Sequence, residues 1–334
     1  MQKIILTKNR SEGYKLQGDL KKFFPGIGVL PCFIKDDLIA NPQQFKNLEF
    51  IFSTWYMPLL NENEVEALLP SLKAIFYAAG SVRYFAEPFL KRGVKIFSAA
   101  KANGVAVAEF VVAQIILANK GYYQAQKTNK SILWRWAFKR AKRYSENRTG
   151  NYNSIVGLIG CGAVGSEVVR LLKPYHLEIL VHDPFLSEER CQRLGVKNVS
   201  LSKLFELCDV VSNHLPDIPE TKGIINYDLL SKMRDYTTFI NTGRGAQLVE
   251  KDLSKVLKKR PTICAVLDVV EHEVLLPWSP LLRRKNVFLS PHIAGSIGNE
   301  ALRMIKYCVV SFDDYVNGRS NENEITLAML EKMA

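Results

Sequence analysis

A chain of 334 residues, 47% apolar and 23% charged, has the makeup of an ordinary globular protein with room for two domains. The formal charge of +12 raises nucleic-acid binding, but the basic clusters Lys139–Arg143, Lys258–Arg260 and Arg283–Lys285 are short and separated, and lack the interleaved aromatics of a single-strand binder. They read as solvated helix ends and loops that lend a positive field towards anionic substrates, and six scattered cysteines without a CxxC pair exclude a disulfide framework and a metal site alike.

The N-terminus MQKIILTKNR lacks the apolar core and small-residue cleavage site of a signal peptide, so a cytoplasmic protein is expected. Up to about residue 100, the apolar runs IGVLPCFI, LEFIFSTW, LKAIFYAAG and VKIFSAA predict buried strands. NENEVEALLPSL and VRYFAEPFLKRG predict helices between them, which makes an α/β domain. A long helix is predicted from about Gly104 to Lys120. Its apolar stretch VAVAEFVVAQIILA is interrupted by Glu109 and Gln114, short of the roughly 18–20 residues that span a bilayer. The segment KSILWRWAFKRAKRY beyond it combines three large aromatics with many bases, fitting either a surface helix with one buried face or a surface packed on a partner subunit.

From Ser154 the alternation resumes with SIVGLIG, LEILVHD, DVVSNHL, TFINTG, TICAVLD and NVFLS, each followed by a helical stretch or, after Gly298, by helix to the C-terminus. Six strands with helices between them predict a doubly wound parallel sheet. The first strand runs into GCGAVG. Gly160 lets the strand bend sharply, Gly162 lets a pyrophosphate reach the backbone, and Gly165 lets the helix lie close on the strand. Asp183 follows Gly165 by 18 residues at the end of LEILVHD, where a carboxylate accepts both adenosine ribose hydroxyls and repels a 2′-phosphate. The cofactor expected is therefore NAD. A different domain precedes this one, so a cleft between the two is the expected place for an active site.

Three further stretches close predicted strands: NTGRG with Arg244, LDVVEHE with Asp268 and Glu273, and SPHIAG with His292. In open α/β sheets ligands sit at such strand ends. With GLIGCGAVG, VHDP, HLPDIPET, INTGRGAQLVE and NVFLSPHIAG in order, residues 157–295 resemble the D-isomer-specific 2-hydroxyacid dehydrogenase family. NGVAVAEFVVAQIILA resembles the helix that enters that family's cofactor domain, whereas the first 70 or so residues match only in general pattern.

The resemblance implies two α/β domains. A flavodoxin-like substrate domain would comprise 1–101 with 303–334, and a Rossmann-type NAD-binding domain 102–302, in a homodimer. Arg244 would hold the substrate carboxylate and polarise its C2 carbonyl with a planar, permanently charged fork. His292 would exchange the proton at that oxygen as hydride arrives at or leaves C2. Glu273, five residues after Asp268, would fix the tautomer of His292 and favour its charged form, leaving Glu271 at the surface. Asp268 would bind the nicotinamide amide. Ala163 and Val164 would offer backbone N–H groups to the pyrophosphate. Leu215 and Pro216 would wall the adenosine side, and Thr221, Thr242 and Gly243 would contact ribose or nicotinamide. In the first domain the loop of Ala79, Gly80 and Ser81 would help to grip the carboxylate.

The family usually places an acidic residue and an asparagine or isoleucine after this last glycine, where this chain has Ser81, Val82, Arg83, Tyr84 and Phe85. That departure leaves the substrate side chain open, as does Trp278, which would line the pocket or cap a hinge. His214 reads as structural, His272 as a solvated loop residue, and His176 and His182 as surface or strand-edge residues. The expected activity is hydride transfer between NAD(H) and C2 of a small 2-ketoacid or (R)-2-hydroxyacid, with neither nucleic acid nor membrane as partner. The alternative from another class is a corepressor-like sensor that binds NAD on the same fold.

Overall fold

The computed structural model describes residues 1–129 and 134–330. It divides into two compact units, Met1–Gly104 with Ser296–Ala334, and Val105–Gly295. In the first, the strands β1 (Gln2–Leu6), β2 (Cys32–Phe33), β3 (Leu48–Ser53), β4 (Ala74–Tyr77) and β5 (Lys95–Ser98) run parallel.

β1 is absent from the sequence expectation and lies inside the sheet, between β3 and β2. Ile4, Ile5 and Leu6 are buried on both faces, so the strand shows a short apolar run rather than an alternation. The expected strand IGVLPCFI shrinks to β2. Pro25–Ile27 forms a 3-10 turn, Gly28 has φ +81°, and Pro31 has no N–H to give, which leaves two residues to pair with Ile5 and Leu6 at the sheet edge. On one face of this sheet Phe52, Phe76 and Phe97 stack at 5.2 and 5.1 Å, closed by Phe312 of the helix Ala301–Val316.

The second unit carries β6 (Tyr152–Ile159), β7 (His176–His182), β8 (Lys197–Asn198), β9 (Val210–Asn213), β10 (Thr238–Asn241), β11 (Cys264–Leu267) and β12 (Val287–Leu289). Every pairing is parallel, in the order β12-β11-β10-β9-β6-β7-β8, with β8 a short addition to the expected strands. The fold is thus α/β with two sheets of doubly wound type, and this one is the Rossmann-type sheet.

Helix Ala100–Asn119 packs Ala108, Val111, Ile115 and Ala118 into the core of the second unit. It corrects the expected membrane criterion. Counted from Ala100 it is long and apolar enough to cross a bilayer, and half of that window is buried inside the protein. Helix Trp134–Glu146 buries Ala137, Ala141 and Tyr144, and leaves Trp136 and Phe138 exposed, with the Arg140 guanidinium 5.1 Å from the Trp136 ring centre. Residues 130–133 of the expected basic–aromatic segment and the Trp134 side chain lie outside the described residues.

The chain then returns to the first unit. The helix expected to reach the C-terminus stops at Asn317, where Gly318 takes φ +67°, and β13 (Glu324–Ile325) pairs antiparallel with β5. The first sheet is thereby ordered β13-β5-β4-β3-β1-β2. Residues 331–334 of that expected helix are outside the described residues.

Candidate active site

Parallel pairing puts the C-terminal ends of β6, β7, β9, β10, β11 and β12 on one edge of the second unit, and the motifs follow those ends. After β6, Gly160 turns the chain at φ +90°, and a Cβ there would lie 2.9 Å from the His214 carbonyl. A Cβ on Gly165 would come within 2.2 Å of the Gly160 oxygen, so helix Ala163–Leu172 closes on the strand only with glycine there. That helix starts at Gly162 with no side-chain cap and no acid in its first turn, and the space where a Gly162 Cβ would project is open. Its first N–H groups, those of Ala163 and Val164 included, therefore suit an anion. A dinucleotide pyrophosphate fits this corner.

At the end of β7 the Asp183 carboxylate accepts the Cys161 N–H at 2.8 Å and the Phe185 N–H at 2.9 Å. Arg190, which the sequence reading did not single out, donates to the Cys161 carbonyl at 3.0 Å and to Ser166 Oγ at 2.8 Å. Together they hold both faces of the Cys161 peptide within the glycine turn.

After β9, burial pushes the His214 imidazole down to about 4, which keeps it neutral. Its Nδ1 lies 3.5 Å from Thr242 Oγ1, and its Nε2 is buried without a hydrogen-bond partner among the described residues. Thr221 is buried, with its hydroxyl donating to the Pro216 carbonyl at 2.7 Å, so the structure uses it to shape the Leu215–Pro216 turn.

Arg244 follows β10 and donates from Nη1 to the Gly243 carbonyl at 2.8 Å. Asp268, at the end of β11, is buried. One of its oxygens accepts Ser290 Oγ at 2.6 Å and the Ile293 N–H at 2.9 Å, and the other accepts the Ala294 N–H at 2.8 Å. The His292 N–H is shared by the Asp268 and Ser290 carbonyls at 3.0 Å each. These bonds bracket His292, whose φ of +55° is a left-handed conformation that a side chain occupies at some cost unless its surroundings enforce it. The Asp268 carboxylate thus fixes the loop of the histidine.

The imidazole so presented meets Glu273, with Nδ1 2.9 Å from Oε1. Glu271, the competing glutamate, instead gives its backbone N–H to Glu250. Arg244, Asp268, Glu273 and His292 line one pocket of about 200 Å³, together with Asp217 and Glu271. Trp278 lines an adjoining groove with Leu275 and Leu276 that shares Ala246 and Glu271 with this pocket. In the first unit Ala79 is buried, and Ser98 Oγ donates to the Gly80 carbonyl at 2.6 Å, which fixes the loop that leads to Ser81.

The family pattern described as "D-isomer specific 2-hydroxyacid dehydrogenase, NAD binding domain" matches residues 112–294. This chain belongs to that family. Its relatives include a D-3-phosphoglycerate dehydrogenase of Archaeoglobus fulgidus, 31% identical over 241 residues that make up 72% of this chain and 44% of that protein. Another is a glyoxylate reductase of Korarchaeum cryptofilum, 31% identical over 242 residues, 72% of each chain. The chain thus spans less than half the length of the phosphoglycerate dehydrogenase and most of the reductase. Among solved structures, apo D-mandelate dehydrogenase of Rhodotorula graminis superposes with a TM-score of 0.78 over 97% of both chains at 19% identity, a likeness of fold.

In this member of the D-2-hydroxyacid dehydrogenase family, Asp268→Asn is expected to lower stability by about 2–3 kcal/mol, because an amide turns donors towards donors and weakens charge-assisted bonds. Urea melts should show that loss, and turnover should fall at least tenfold as the His292 loop relaxes. Wild-type stability together with wild-type turnover would refute the bracing role.

Proposed function

We propose that this chain interconverts a 2-ketoacid and an (R)-2-hydroxyacid with NADH and NAD, using residues 102–302 as the NAD-binding domain and 1–101 with 303–334 as the substrate-binding domain. The observation that carries the reading is the convergence of Arg244, Glu273 and His292 in one pocket at the strand ends of a dinucleotide-binding sheet. When bound at the glycine turn, the dinucleotide supplies or accepts the hydride at C2.

The protein's own groups do the rest. The Arg244 fork pairs with the substrate carboxylate and draws charge from the carbonyl. With the His292 Nδ1–H given to Glu273, Nε2 is the nitrogen left to exchange a proton with the C2 oxygen. Glu273 holds that tautomer and offsets the positive charge of the imidazolium. Asp183 favours NAD over NADP, because a 2′-phosphate beside its carboxylate meets a like charge. Leu215, Pro216, Thr242 and Gly243 complete the wall against the nucleotide. A homodimer, which rests on the family alone, and a cytoplasmic location belong to the same reading.

The test is a panel of glyoxylate, hydroxypyruvate, 3-phosphohydroxypyruvate, branched and aromatic 2-ketoacids, each with NADH and with NADPH. At least one ketoacid should be reduced to the (R)-alcohol with NADH at a kcat/KM roughly tenfold or more above that with NADPH. A preference for NADPH would remove Asp183 from its ribose role, and no turnover of any ketoacid would remove the enzymatic reading.

A further inference from the structure

Three buried amide side chains lie beneath the loops after β9 and β10: Asn213, Asn241 and Gln247. Their donors and acceptors interlock. Asn213 Nδ2 donates to Asn241 Oδ1 at 2.9 Å and to Gln247 Oε1 at 2.6 Å, and Asn213 Oδ1 accepts the Leu215 N–H at 3.3 Å. Asn241 Oδ1 also accepts the Gly243 N–H at 3.2 Å, while Asn241 Nδ2 donates to the Arg244 carbonyl at 3.3 Å.

Gln247 closes the network on both sides. Its Oε1 also accepts the Arg244 N–H at 3.1 Å, and its Nε2 donates to the carbonyls of Leu215 at 2.9 Å and Pro216 at 2.7 Å. The donor and acceptor roles agree around the whole circuit, which fixes the orientation of each amide. Burying amides is costly unless they are satisfied, and a fully satisfied network rigidifies what it touches. What it touches here is both peptide groups of Arg244 and the turn that walls the nucleotide.

We propose that Gln247 is a positioning residue that locks the Arg244 loop to the Leu215–Pro216 turn, so that the substrate-carboxylate site and the cofactor wall hold one shared geometry. This inference rests on the reading of the site given above. Gln247 reaches no reacting atom and acts through its neighbours. Because one side chain bonds to both loops, losing it loosens both. A residue that only filled the core would alter stability and leave ligand affinities alone.

The test compares wild type with Gln247→Met, which keeps the volume and removes every bond, and Gln247→Glu, which keeps the acceptor but sets a carboxylate oxygen against two carbonyls. NADH affinity is read by fluorescence titration without substrate, and KM and kcat separately with the best ketoacid of the panel. Both variants should weaken NADH binding and raise the ketoacid KM, each by roughly tenfold. In an Arg244→Lys background the added effect of Gln247→Met on KM should shrink, because the two residues act as a unit. If Gln247→Met does not fold, Gln247→Glu carries the same readings. NADH affinity and KM within twofold of wild type in the folded variants, whatever happens to Tm, overturn the proposal. A wild-type chain that binds no NADH overturns the functional reading and this inference with it. Wild-type binding and turnover beside unaffected variants sink the inference alone.

Discussion

Replacing His292 by alanine is expected to cut turnover of the preferred 2-ketoacid by on the order of 10²–10⁴-fold, while NADH binds within about twofold of wild type. In the proposed mechanism the imidazole passes a proton from Nε2 to the C2 oxygen as that oxygen gains negative charge. Without it, water must do so from a less ordered position, and the loss falls on kcat more than on KM. NADH affinity should survive, because the corner proposed to hold the cofactor consists of the glycine turn and Asp183, whose bonds do not involve His292.

Alanine at this position also has to accept φ +55°. The backbone bonds from Asp268 and Ser290 persist in the variant, so the loop should stay in place at a cost of about 1 kcal/mol. Stopped-flow single turnover with saturating NADH isolates the chemical step. A rate within threefold of wild type would remove the proton-transfer assignment, and a parallel loss of NADH affinity would show that the loop had collapsed instead.

Much of the second unit could be read from its residues because the signals there are local. Gly160 needs glycine for its φ of +90°, and Gly165 for the Gly160 oxygen five residues back, although Gly160 also faces the distant His214 carbonyl. Glu271 and Glu273 compete in the sequence itself; the family pattern, with its carboxylate five residues after the strand-end Asp268, selects Glu273, and the imidazole meets Glu273.

The parts that escaped notice depend on what lies across the sheet. Asn213 and Asn241 close two apolar runs at equivalent points, VVSN and TFIN, which is a signal of a kind. The bonds from Asn213 to Asn241 and Gln247, however, join residues 28 and 34 positions apart and exist only once β9 and β10 are neighbours. Asp268 was legible as a strand-end acid. Its grip on Ile293 and Ala294 was not, since it spans 25 and 26 positions. In the first unit β1 went unread because a central strand between two others shows no alternation, and β13 because two residues pairing antiparallel at an edge carry almost no pattern.

Arg244→Ala should lower kcat/KM for the ketoacid by about 10²–10⁴-fold, through both a higher KM and a lower kcat. A guanidinium on a carboxylate makes two charge-assisted bonds of roughly 1.5–3 kcal/mol each, and about 1.4 kcal/mol corresponds to a factor of ten. The rise in KM reports the lost grip on the carboxylate, and the fall in kcat reports the lost pull on the carbonyl as it turns into an alkoxide. Arg244→Lys restores the charge but not the fork, so it should lie between the alanine variant and wild type, recovering more of KM than of kcat. A purely structural role would instead show as bonds from the guanidinium to the fold. Within the second unit the guanidinium donates to the neighbouring Gly243 carbonyl, while the Arg244 backbone is held by Gln247 and Asn241. Removing the side chain should therefore cost no more than about 1 kcal/mol of stability, visible as a small shift in the urea midpoint. A kcat/KM within threefold of wild type, or a large loss of stability that accounts for the missing activity, would assign the guanidinium to the scaffold instead of the substrate.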